Sequence, residues 1–205
     1  MQRPFPGSFT AAALFLTLVL VAACASSNVL SVRYEPPSRT DAPPPRTVAI
    51  VFIDERKTDA VLTPSARREL EGFTGVYALT VAPAGKSGEL KGAFPVDALF
   101  RELLRYRLES AGVEVAPSGA VAAAEIQLVL NEFQLDFGDR KWSSTVAYRA
   151  QLVKDGSVRS QQFVSGSAER VFLTGRREAD RVVGELLSDA INKLDVTLLF
   201  TQAGL

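Results

Sequence analysis

Histidine is absent from this 205-residue chain, and cysteine, methionine and tryptophan occur once each. Without histidine there is no Ser-His-Asp or Cys-His nucleophile, and no histidine-bound zinc or haem. The single cysteine, Cys24, has no partner for an internal disulfide, a Cys-x-x-Cys redox pair or a cysteine metal cluster. Charge is balanced, with 23 Lys+Arg against 23 Asp+Glu and a pI near 6.4. That leaves no electrostatic footprint for a nucleic acid partner. No catalytic residue, cofactor or metal ligand set is expected, and the chain reads as a non-enzyme.

What is present starts at the N-terminus. Arg3 and the free amine form a short positive region, and no acidic residue precedes Glu35. Residues 11–23 are apolar except for Thr17, a run shorter than the ~20 residues of a membrane-spanning helix. Its length and small terminal residues suit a secretory signal peptide over residues 1–23. The run ends in Val21-Ala22-Ala23-Cys24, which resembles a bacterial lipobox. The resemblance implies diacylglycerol on the Cys24 thiol, cleavage before Cys24 and an acyl chain such as palmitate on the new amine. The alternative is an ordinary signal peptide cleaved nearby, with Cys24 incidental. One acyl chain anchors marginally, whereas two or three hold a protein on a membrane effectively permanently. Ala25 follows the cysteine where the enteric sorting rule places Asp for inner-membrane retention, so the periplasmic face of the outer membrane is favoured.

Residues 24–46 read as a tether. Five of the chain's eleven prolines, Pro36, Pro37, Pro43, Pro44 and Pro45, fall here. Proline fixes φ and lacks an N–H, so extended polyproline II and exclusion from a packed core are expected. At about 3.1 Å per residue the segment could extend roughly 70 Å.

Residues 47–205 are expected to form one periplasmic α+β domain, a largely antiparallel sheet with two amphipathic helices packed on one face. The apolar run Thr47–Ile53 reads as a central strand buried on both faces. Residues 75–82 read as a second strand, followed by a loop over residues 83–92. A helix begins near Phe94 and presents Leu99, Phe100, Leu103, Leu104 and Leu108 on one face, with Gly112 as its C-cap. Ile126, Leu128 and Leu130 alternate on even positions, then Phe133, Leu135 and Phe137 on odd ones, which predicts a β-bulge at Asn131-Glu132. Asp155-Gly156 predicts a tight hairpin turn. Ala179, Val182, Val183, Leu186, Leu187, Ala190, Ile191 and Leu194 form the stripe of a final helix.

Some triplets imitate catalytic motifs. Gly85-Lys86-Ser87 lacks the glycine a phosphate loop requires at position 80, which is Thr80. Asp136-Phe137-Gly138 copies the kinase magnesium triplet without its partner motifs. Asp54, Glu55 and Asp59 cluster after the first strand and could hold a hard cation or act in acid–base chemistry, although Arg56 and Lys57 interleave with them. Arg140-Lys141 and Arg176-Arg177 with Arg181 could meet anionic lipid or peptidoglycan, but Asp139 balances the first group and Glu178 and Asp180 the second, which favours ordinary surface. Trp142 and Tyr148 share one strand face and suit the core.

The order of these features resembles the YajG-like bacterial lipoproteins. The resemblance is carried by Val21–Cys24, by Asp54-Glu55-Arg56-Lys57-Thr58-Asp59, and by Phe100-Arg101-Glu102-Leu103-Leu104 running to Gly112. Ile126–Leu130, Tyr148-Arg149-Ala150 and Leu186-Leu187-Ser188-Asp189-Ala190-Ile191 extend it. It implies a small envelope protein and brings no catalytic residues. The expected role is a membrane-anchored lipoprotein with a binding or assembly function, its partners the bacterial membrane and an envelope protein. The alternative is an auxiliary lipoprotein subunit of an ABC-type transport or secretion complex.

Overall fold

Alternation of apolar and polar residues puts every second side chain of a strand on one face, and here it assembles two sheets. The computed structural model describes residues 28–38, 47–83, 86–117, 119–120, 122–171 and 176–205. The expected signal peptide, the lipobox Val21-Ala22-Ala23 and Cys24 lie outside the described residues.

The strands are β1 (Leu30–Tyr34), β2 (Thr47–Asp54), β3 (Tyr77–Val81), β4 (Glu89–Phe94), β5 (Glu114–Val115), β6 (Ala124–Gly138), β7 (Lys141–Lys154) and β8 (Ser157–Val171). The described helices are α1 (Pro64–Glu69), α2 (Val96–Ser110), α3 (Arg176–Asn192) and α4 (Val196–Gln202). A five-stranded sheet has the order β5-β2-β6-β7-β8, and a three-stranded sheet the order β1-β3-β4. The expectation of one largely antiparallel sheet is therefore corrected. β2 pairs parallel with both β5 and β6, and β1 pairs parallel with β3. Only β3–β4, β6–β7 and β7–β8 pair antiparallel. Local hairpins are visible as turn residues, whereas parallel partners meet only through long crossovers.

The two long helices each touch strands of both sheets. α2 touches β2 and β5 of the large sheet and β3 and β4 of the small one, while α3 touches β1 and also β7 and β8. Both therefore lie where the sheets meet. Phe73, Tyr77, Phe133, Phe100 and Phe52 form a chain of ring contacts between the two sheets, with centroids 5.4 to 6.1 Å apart. Arg107 ties the end of α2 to the Leu194 carbonyl at 2.7 Å.

Three further expectations change. Leu30–Tyr34 is a strand with Leu30, Val32 and Tyr34 fully buried, so the N-terminal part of the supposed tether belongs to the core. The folded unit thus begins well before Thr47. The second concerns β2, which is half-buried for most of its length rather than buried on both faces. Ile50 and Phe52 are partly buried and pack against the core. Residues 89–92, read as the end of a loop, belong to β4 at the edge of the small sheet.

The antiparallel half follows the sequence closely. The β6–β7 register shifts between Leu130 and Glu132, leaving Asn131 as the bulged residue. Asp139 and Arg140 (φ 50° and 56°) and Asp155 and Gly156 (φ 52° and 70°) take the paired positive φ of tight primed turns. α2 ends with Gly112 at φ 79°.

Candidate functional site

The outward face of β1 and the polar stripe of α3 together make the most developed surface feature. α3 carries Arg176, Asp180, Gly184, Ser188 and Asn192 at four-residue intervals, one above another on one face. Four helical residues rise about 6 Å. Two strand residues rise about 6.7 Å. The two periods nearly match, so each helix step meets the next outward backbone group of β1. Arg176 Nη2 donates to the Val29 carbonyl at 2.9 Å, and the Ser31 N–H donates to Asp180 Oδ1 at 2.8 Å. Ser188 Oγ donates to the Arg33 carbonyl at 3.0 Å and accepts from the Glu35 N–H at 3.3 Å. Asn192 Nδ2 donates to the Glu35 carbonyl at 2.8 Å, while its Oδ1 accepts from Tyr34 Oη at 2.9 Å.

Gly184 makes this approach possible. A Cβ there would meet the Arg33 backbone nitrogen at 3.2 Å and its carbonyl oxygen at 3.5 Å. The helix thus stands in for a neighbouring strand and closes an edge that would otherwise template pairing with another chain. Desolvation raises the Asp180 carboxyl above its ordinary value, opposed by the Ser31 N–H and then Arg176. An open groove of about 700 Å³ runs beside the ladder, with Thr80, Arg33, Glu35, Arg181 and Glu185 in its lining. Charges of both signs line it, which suits a polar ligand or peptide segment more than a simple ion.

The carboxylates after β2 do not converge. Asp54 is held by Arg56, with Nε at 2.9 Å from Oδ1 and Nη2 at 2.7 Å from Oδ2, and that hydrogen bonding draws its carboxyl below the ordinary value. Glu55 turns to the other face, where Asn131 Nδ2 lies at 3.3 Å and Arg149 Nη2 at 3.6 Å. Asp59 meets Arg56 through its backbone carbonyl at 3.4 Å. Among the described residues no three His, Cys, Asp or Glu side chains gather as a cation site. A second groove of about 680 Å³ lies here, with Arg56, Phe73 and Asp97 in its lining.

Asp136 has a structural task. Its Oδ1 accepts from Thr63 and Ser65, the N-cap and an early residue of α1, and these bonds lower its carboxyl's pKa. Trp142 and Tyr148 are buried, and Tyr148 Oη donates to the Ala190 carbonyl at 3.0 Å. The sequence conceals the α3 ladder because β1 sits beside prolines. The alternation of Leu30, Val32 and Tyr34 with Ser31, Arg33 and Glu35 is the signal that could have found it.

No protein-family model matches the chain, and no curated protein matches it in sequence. Solved structures do match. Protein XCC0632 from Xanthomonas campestris, described under the family model DUF330, superposes with a TM-score of 0.51 at 16% identity, over 83% of this chain and 95% of its own. CT253 from Chlamydia trachomatis gives 0.48 at 10% identity, over 78% and 99%. Lipoprotein GNA1162 from Neisseria meningitidis gives 0.34 at 15% identity, over 73% and 97%. The first is a likeness of fold; the other two are looser.

Proposed function

We propose that the chain is a lipid-anchored protein of the bacterial envelope whose domain has a non-catalytic binding or assembly role. One observation carries this reading: the only cysteine stands at the end of a short apolar run, behind Val21-Ala22-Ala23, just ahead of a folded domain. The pairing of Asp54 with Arg56 and the outward turn of Glu55 support a domain that binds rather than reacts. No described helix is long and apolar enough to cross a membrane. The YajG-like assignment and the outer-membrane location, argued from Ala25, belong to the same reading.

Cys24→Ala tests it. The wild-type chain is expected to incorporate a palmitate analogue and fractionate with membranes, and the variant to do neither. A variant that remained in the membrane fraction would remove the anchor. Crosslinking in the envelope then identifies the partner, and steady recovery of one transport complex would assign the auxiliary-subunit role.

A further inference from the structure

The segment that reads as a long proline-rich spacer is not what separates the domain from Cys24. Thr74 donates to the Asn28 carbonyl through both its N–H, at 3.1 Å, and its hydroxyl, at 3.0 Å. Arg176 holds the Val29 carbonyl, and β1 begins at Leu30. The chain is therefore fixed to the domain from Asn28 onward, four Cα steps after Cys24. Whatever path those steps take, they span at most about 14 Å. The prolines at 36, 37 and 43–45 follow β1 and belong to the connection from β1 to β2.

The domain is much longer than that reach. β8 alone has 15 residues, about 48 Å from end to end. A link from Cys24 this short holds one end of the domain within about 14 Å of the bilayer and places no such limit on the other. The end that stays near it is the end where β1 starts. β1 and α3 run in the same direction, so the N-terminus of α3 lies at that end. Val171 at the end of β8 pairs with Lys141 at the start of β7, which brings the Asp139-Arg140 turn to the same place.

Two basic pairs far apart in sequence, Arg140-Lys141 and Arg176-Arg177, thus lie toward the end of the domain from which the chain leaves for Cys24. Both sit where local structure disfavours them. Arg140 occupies a positive φ of 56°, where glycine or asparagine is the common choice. Arg176 and Arg177 open α3 at the positive end of its dipole. Arg140, Arg177 and Arg181 make no ion pair among the described residues, while Lys141 and Arg170 are engaged by Glu169 and Glu185. Val171 is 63% exposed beside them.

We propose that this end of the domain is a membrane-apposed surface that meets the anionic phospholipid headgroups of the bilayer in which Cys24 is anchored. The inference rests on the lipid-anchor reading. The opposite end, with the Asp155-Gly156 turn and the C-terminus of α3, then faces away and is free for a protein partner.

The full-length chain, expressed with its own signal and purified acylated, provides the test. Its mass first reports whether Cys24 carries acyl chains. Val171→Cys and Ser157→Cys place a fluorescent label at the two ends of one exposed strand. The labelled proteins are reconstituted in phosphatidylethanolamine vesicles with and without phosphatidylglycerol, containing headgroup spin-labelled lipid. Quenching is expected to be several-fold stronger at Val171→Cys, and the difference to shrink without phosphatidylglycerol or in R140E/R177E. Equal quenching at both ends of an acylated protein overturns the orientation and leaves the anchor standing. A gradient indifferent to phosphatidylglycerol and to R140E/R177E overturns the headgroup contact. A mature chain with no acyl mass overturns both readings.

Discussion

At the scale of single residues, Asp180 shows how burial and hydrogen bonding compete. Its carboxylate accepts the Ser31 N–H that fastens β1 to α3, yet desolvation lifts its pKa above the ordinary 3.8. An acid with a raised folded pKa binds more protons folded than unfolded between the two values, so its charge lowers stability as pH rises through that window. Asp180→Asn keeps an oxygen for Ser31 and removes the buried charge. It is expected to match or exceed wild-type stability at pH 7 and to flatten the acid side of the pH–stability curve, as read by urea melts. Asp180→Ala leaves the N–H unpaired and is expected to cost about 1–3 kcal/mol. Asp136 has the opposite sign. Its folded pKa is depressed by Thr63 and Ser65, so its contribution is present above the unfolded value and is lost as pH falls through the folded one. Asp136→Ala is expected to cost about 1 kcal/mol near neutrality and little in acid, measured by the same melts. Neither role could be read from residue type, because Asp136-Phe137-Gly138 and Asp180 look like any charged turn or helix surface until Thr63 and Ser31 arrive.

At the scale of elements, the α3–β1 contact depends on Gly184. Alanine there gains helix propensity worth about 1 kcal/mol, but its Cβ meets the Arg33 backbone nitrogen at 3.2 Å. Gly184→Ala is therefore expected to stay within about 1 kcal/mol of wild type. Gly184→Leu must displace β1 and is expected to cost about 1–3 kcal/mol, with weakened protection of the Ser31 and Glu35 amides in hydrogen exchange. The β6–β8 hairpins, the bulge at Asn131 and the faces of α2 and α3 were legible because turn chemistry and periodicity are local. β1, β4 and α4 were not. Leu30, Val32 and Tyr34 are too few to outweigh the prolines beside them, and β4 is an edge strand with exposed Glu89 and Leu90. α4 is seven residues long, and its Asp195 cap, accepting the Leu198 N–H at 2.8 Å, is its clearest local mark.

At the scale of the whole molecule, the boundary of the folded unit decides both stability and geometry. A chain truncated to begin at Thr47 loses Leu30, Val32 and Tyr34 from the core and uncovers the edge of β3. Each large side chain contributes about 1.5–3 kcal/mol when fully buried. Their sum is comparable with the net stability of a typical domain, which is on the order of 10 kcal/mol. The truncated chain is expected to be unfolded or aggregated by circular dichroism and gel filtration, whereas one beginning at Asn28 melts cooperatively. Equal melting temperatures for the two would remove β1 from the essential core. By itself the sequence determined the scarcity of reactive side chains, the motif at Cys24 and those elements whose periodicity or turn residues are written locally. The tertiary structure alone decided that Leu30–Tyr34 leaves the tether for the core, that the strands divide into two mixed sheets with the long helices touching both, and that the β1–α3 ladder forms. The physical reason is separation along the chain. Ser31 and Asp180 stand 149 residues apart, and only folding brings such a donor to its acceptor.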